Sequence, residues 1–115
     1  MKIEWSIATS KDIDDFYGER PRVTLRAIAI RMDGVPVGLV GLVDEKTRMR
    51  AFSEYKPELA PYLKSMTVLR AVKASQRMIA SCGKQVIAVA ESCPAILERV
   101  GFVHAQDDIY VWRGL

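Results

Sequence analysis

The sequence predicts an α/β (α+β) fold: a mixed, mostly antiparallel sheet with a long central helix and a short C-terminal helix. Three observations lead there. Apolar and polar residues alternate through Val23 to Met32, and the turn signal Asp33-Gly34 follows directly. Apolar residues recur at helical spacing between Tyr62 and Ser81. Near the C-terminus a wholly apolar run and a closing hairpin flank a short stretch opened by Pro94. With 115 residues, half of them hydrophobic, the chain has the size of one domain and enough apolar surface for a core.

Trp5 to Ala8 reads as a first strand, after which Thr9 or Ser10 caps a helix with Asp12 and Asp14 in its first turn. Ile13, Phe16 and Tyr17 supply its buried stripe, and Gly18 and Pro21 end it. Val23 to Met32 and Val35 to Val43 are hairpin partners across Asp33-Gly34, and the near-continuous apolar character of the second argues for burial on both faces. Asp44 to Thr47 is a second turn and Met49 to Tyr55 a third strand, which completes a meander. Lys56 to Pro61 is a loop with two prolines, followed by a helix over Tyr62 to Ser81. Leu63, Met66, Leu69, Val72, Gln76 and Ile79 form its inner stripe; Arg70, Lys73, Arg77 and Lys84 form another, and Gly83 stops it. Gln85 to Ala90 is a buried central strand, Ala95 to Val100 a short helix, and Phe102–His104 with Ile109–Trp112 a final hairpin.

The longest apolar run, Val35 to Val43, is broken by Pro36, Gly38 and Gly41 and falls short of the ~20 residues that cross a bilayer. Glu4 lies where a signal peptide would be apolar, so the expected location is cytoplasmic, with no membrane partner. Cys82 and Cys93 do not make a disulfide framework, and with the single histidine, His104, they give no metal-ligand spacing. The net charge is +3, unevenly spread: Pro61 to Lys84 holds five basic residues and no acid, whereas residues 1–19 are acidic. Such a helix is either a solvated face or the seat of an anionic partner. It lacks interleaved aromatics, which argues against nucleic acid.

Three segments in order carry a resemblance: Ile7-Ala8-Thr9-Ser10-Lys11-Asp12-Ile13, the hairpin Ile28 to Gly38, and Pro94-Ala95-Ile96-Leu97-Glu98-Arg99-Val100-Gly101-Phe102. They resemble the opening strand and helix start, the central hairpin and the "E-K-x-G-F" ending of the GNAT superfamily of acetyl-coenzyme A-dependent N-acetyltransferases. One departure stands out. The family cradles the cofactor diphosphate with a glycine-rich turn before the long helix, and here Glu58 to Thr67 contains no glycine. In that respect the chain is similar to small phage-encoded GNAT-like proteins, some of them acetyltransferases and others virion components.

The resemblance implies a GNAT-like fold and acetyl-CoA as cofactor. Phe52, Ser53 and Tyr55 on the third meander strand, and Ala90 on a strand splayed from it, would line the pantetheine slot. Lys64, Ser65 and Thr67 would receive the phosphates. Glu54 occupies the place of a catalytic carboxylate; as a general base it needs a pKa raised by burial, and its alternative is an exposed carboxylate paired with Lys56 or Arg50. Cys93, before Pro94, is either an assisting thiol or a small buried hydrophobe. The family's general-acid tyrosine corresponds to Leu97, which leaves that role vacant, and His104 reads as structural. The function implied is transfer of acetyl to an unidentified amine. The alternative is a catalytically inactive phage structural or host-interaction protein that uses a self-association or partner surface.

Overall fold

The computed structural model describes residues 1–89 and 94–114. Four strands form the antiparallel meander: β1 (Ile3–Ile7), β2 (Leu25–Met32), β3 (Val35–Asp44) and β4 (Met49–Tyr55). With β5 (Val86–Val89), β6 (Phe102–Gln106) and β7 (Ile109–Trp112) they make a seven-stranded sheet in the order β1-β2-β3-β4-β5-β7-β6. The β4–β5 pairing is parallel; the others are antiparallel. The protein is therefore an α+β domain built on a mostly antiparallel sheet.

Helix α1 (Ser10–Tyr17) starts at a reciprocal cap: the Thr9 hydroxyl accepts from the Asp12 N–H, and the Asp12 carboxylate accepts from the Thr9 N–H. Gly18 ends it in the left-handed region, at φ 77°. The same carboxylate receives the Arg31 guanidinium of β2 through Nε (3.0 Å) and Nη2, which bolts α1 to the sheet. Asp33 and Gly34 both have positive φ, as the two-residue turn requires.

Helix α2 (Met66–Ser81) covers the opposite face from α1. Val68 and Ala71 pack with Ile28, Ile30 and Val37, while Phe16 of α1 packs with Ala27, Ala29 and Leu39. This alternation is the pleat of β2 written out: odd and even residues feed different layers. Leu39 and Leu42 are completely buried, as expected for β3. Helix α3 (Pro94–Val100) places Leu97 and Val100 against a third cluster with Met49, Ile79, Val86 and Phe102.

Two expectations for the long helix are corrected. It begins at Met66, not Tyr62: Pro57–Tyr62 is a 3-10 turn containing Pro61, and the Ser65 hydroxyl accepts from the Val68 N–H as the true cap (3.3 Å). Its buried stripe is Val68, Ala71, Ser75 and Ile79, whereas Met66 and Leu69 are 62% and 47% exposed. Small residues win that face because the helix lies close to the sheet, and the Ser75 hydroxyl is satisfied by donating to Val72 O at 2.6 Å. Lys84 lies beyond the helix; its ammonium donates to Lys46 O (3.0 Å) and pairs with Asp44 at the β3–β4 turn. Further corrections lie at element ends: β1 spans Ile3–Ile7, β2 starts at Leu25, β5 starts at Val86, α3 starts at Pro94 and β6 extends to Gln106.

Candidate functional site

The candidate site is the seam between β4 and β5. Among the described residues the two strands pair only at Met49↔Val86 and Arg50↔Ile87. The hydrogen-bond parity of β4 then decides which of its backbone groups are left over. Lys56 N–H donates to Val37 O, and the β3–β4 register runs unshifted from there, so Glu54, Phe52 and Arg50 exchange hydrogen bonds with β3. Met49 N–H donates to Gln85 O at 2.9 Å, so the odd residues point their N–H and C=O the other way. Beyond the two rungs, Ser53 and Tyr55 therefore present their backbone groups to the β5 side with no ladder partner among the described residues. Buried backbone left in this state would cost free energy; here Ser53 and Tyr55 are exposed.

The chain leaves β4 at Tyr55, turns through Pro57–Tyr62 and enters α2, which returns to β5. The start of α2 packs over β1, β2 and β3: Val68 and Ala71 sit with Ile30, Val37 and Leu59, toward the same end of the sheet as Tyr55. Lys64 is exposed, Ser65 and Thr67 half-buried. The Ser65 oxygen accepts from Val68 N–H, which leaves its own O–H free to donate, and the first-turn amides of Met66 and Thr67 are the helix's orphan donors. Gly38 is the nearest glycine along the sheet, and a Cβ there would meet Leu59 at 2.9 Å; the glycine serves packing of the 3-10 turn, not a ligand.

The structure brings Ser53, Tyr55, Lys64, Ser65 and Thr67 to one end of the sheet. It does not bring Phe52 to the seam: its backbone serves β3 and its ring packs with the α1-face cluster. Ala90 and Cys93 lie outside the described residues. Glu54 is exposed on the α1 face, and among the described residues it forms no ion pair with Lys56 or Arg50. Arg50 instead donates to Glu45 at 3.2 Å, and the Lys56 ammonium lies 5.2 Å over the Phe16 ring.

Sequence reasoning missed Tyr17. Read as core, it lines an open groove of about 220 Å3 with Pro21, Val23, Arg50, Phe52 and Glu54. Burial first, then the Glu54 charge and hydrogen bond, push the Tyr17 hydroxyl up to about 12, so it stays protonated through the neutral range. Its place at the end of α1, facing β4, is a tertiary fact that no local spacing encodes.

His104 donates its Nε2–H to Asp107 O (2.8 Å) inside its own hairpin and stacks edge-on with Tyr110. Among the described residues no three His, Cys, Asp or Glu converge on a metal position. No helix of the described residues is long and apolar enough to cross a membrane. Compared with protein-family models, with curated proteins and with solved structures, the chain matches none.

Proposed function

We propose that the protein is an acetyl-CoA-dependent N-acetyltransferase of GNAT type, with the β4–β5 seam as its cofactor slot. One observation supports this reading: among the described residues β4 and β5 pair at two rungs only, and the Ser53 and Tyr55 backbone groups face the β5 side without a ladder partner, at the end of the sheet from which the chain runs on to α2. Those groups suit the amides of a pantetheine arm, which pair with a strand edge as another strand would. Lys64, the Ser65 O–H and the first-turn amides suit a diphosphate without glycine, by ammonium and helix end instead of a close backbone approach. Bound acetyl-CoA would supply the activated thioester.

The chain's own groups supply less for proton transfer. Glu54 and Tyr17 border the α1-face groove, where the phenol can donate a hydrogen bond, but Glu54 is exposed and lacks the burial that a general base would need. Leu97 packs into an apolar cluster, so α3 offers no acid at that position. That observation favours the second reading, a GNAT-like fold kept without catalysis as a phage structural or host-interaction protein. Calorimetric titration with acetyl-CoA tests the first: saturable binding is expected, weakened by Lys64→Ala, and no heat at millimolar cofactor overturns it. Binding without acetylation of any amine leaves the second reading standing.

A further inference from the structure

We propose that a separate groove, between α2, the end of β7 and the C-terminal tail, binds a nucleoside phosphate. Its phosphates would rest on Lys73 and Arg77 and its base against the Trp112 indole. The groove has a volume of about 430 Å3 and is lined by Lys73, Gln76, Arg77, Ala80, Trp112 and Gly114. That volume is in the range of small-molecule sites. Helix α2 carries Arg70, Lys73 and Arg77 and no acid, and among the described residues neither Lys73 nor Arg77 forms an ion pair. A guanidinium and an ammonium one helical turn apart are suited to a polyanionic phosphate chain.

The aromatic wall is built, not incidental. The Trp112 ring stands edge-to-face with Phe102 at 5.4 Å and lies across Gly101, where a Cβ would come within 2.6 Å of the indole. Gly101 also has φ +114°, so the backbone and the ring position both require glycine. Gln76 is held by donating Nε2 to Val100 O (3.3 Å), which leaves its carbonyl oxygen to accept from an exocyclic amino group of a base. An acidic peptide would use the cations but not the indole and the amide together. Lys73 and Arg77 lie roughly 12 to 18 Å along α2 from Ser65, so this groove is distinct from the β4–β5 seam and does not depend on acetyl transfer.

NMR titration of the full chain tests the proposal, read on the Trp112 indole N–H and the Gln76 to Ala80 amides at low salt. The probes are ATP, inorganic triphosphate and an oligodeoxyadenylate decamer. ATP is expected to give saturable shifts there, with its Kd raised at least fivefold by Arg77→Gln and at least fivefold by Lys73→Gln, both surface changes. Triphosphate should bind at least tenfold more weakly, because it has no base to stack. Tighter binding of the decamer assigns the site to a strand's nucleotides and tighter binding of ATP to a free nucleotide; both keep the shared chemistry. No saturable shift at millimolar ATP overturns the proposal. So does equal affinity for triphosphate, insensitivity to Arg77→Gln, or binding of the decamer without ATP.

Discussion

The β2–β3 and β4–β5 seams belong to one sheet and differ in every respect that matters for a ligand. Eight residue pairs join β2 to β3, with α2 over one face and α1 over the other. Among the described residues two pairs join β4 to β5, and beyond them Ser53, Glu54 and Tyr55 are exposed. Where both faces are covered by apolar side chains, each backbone polar group must find its partner in the ladder. Where cover ends, the ladder can end too, and the unlinked groups become available to something else. Stability is concentrated in the first seam; the proposed cofactor slot lies at the second.

The sharpest way to break this contrast is Gly41→Ala. A Cβ at Gly41 would lie 2.0 Å from Arg26 O and 2.6 Å from Ala27 Cα, all backbone, so β2 and β3 must move apart. A loss of about 3 kcal/mol in urea denaturation is expected; a loss below about 1 kcal/mol would show that the closed seam is not tightly built.

Proline separates the two edges of β4. Glu54→Pro removes a rung to Leu39, whereas Ser53→Pro removes an N–H with no ladder partner among the described residues. Glu54→Pro should cost on the order of 2 kcal/mol more than Ser53→Pro. Equal costs would mean that Ser53 is also laddered.

The closed half is also pinned by Asp12. The Arg31 guanidinium, with the Thr9 hydrogen bonds, holds its carboxyl down at about 2, against an ordinary 3.8. The folded state therefore gains stability above pH 3.8 and loses it as pH falls through 2, by on the order of 2 kcal/mol. Asp12→Asn should flatten the stability profile between pH 4 and pH 2, measured by denaturation at each pH; an unchanged slope contradicts the pairing.

The smallest effect belongs to the open end. Ser65→Ala removes the α2 cap and should cost about 1 kcal/mol, far less than damage to the closed seam. A cost similar to that of Gly41→Ala would erase the distinction.

Much of the closed half was legible in the sequence, because its signals are local. Asp33-Gly34 announced a turn that needs positive φ twice, and Thr9-Ser10 announced a cap, which the structure assigns to Thr9. The entry to α2 was harder. Leu63 and Met66 fit a helical stripe, yet Pro61 and the Ser65 cap delay the helix, and closeness to the sheet rotates its buried face onto Ala71 and Ser75. The sites were less legible still. Tyr17 meets Glu54, and Trp112 comes to line one groove with Arg77, only through the tertiary fold. The basic stripe lacked an aromatic in sequence and acquires one in space. Which β4 backbone groups face the seam follows from register, which side-chain patterns do not specify across a parallel crossover.

Amide hydrogen exchange along β4 tests the central claim most directly. In the free protein the Ser53 and Tyr55 amides should exchange quickly while the alternating Phe52 and Glu54 amides stay protected, and saturating acetyl-CoA should slow the two fast amides selectively. Uniform protection from Ala51 to Tyr55 without ligand would contradict it, because the strands would then be joined along their length.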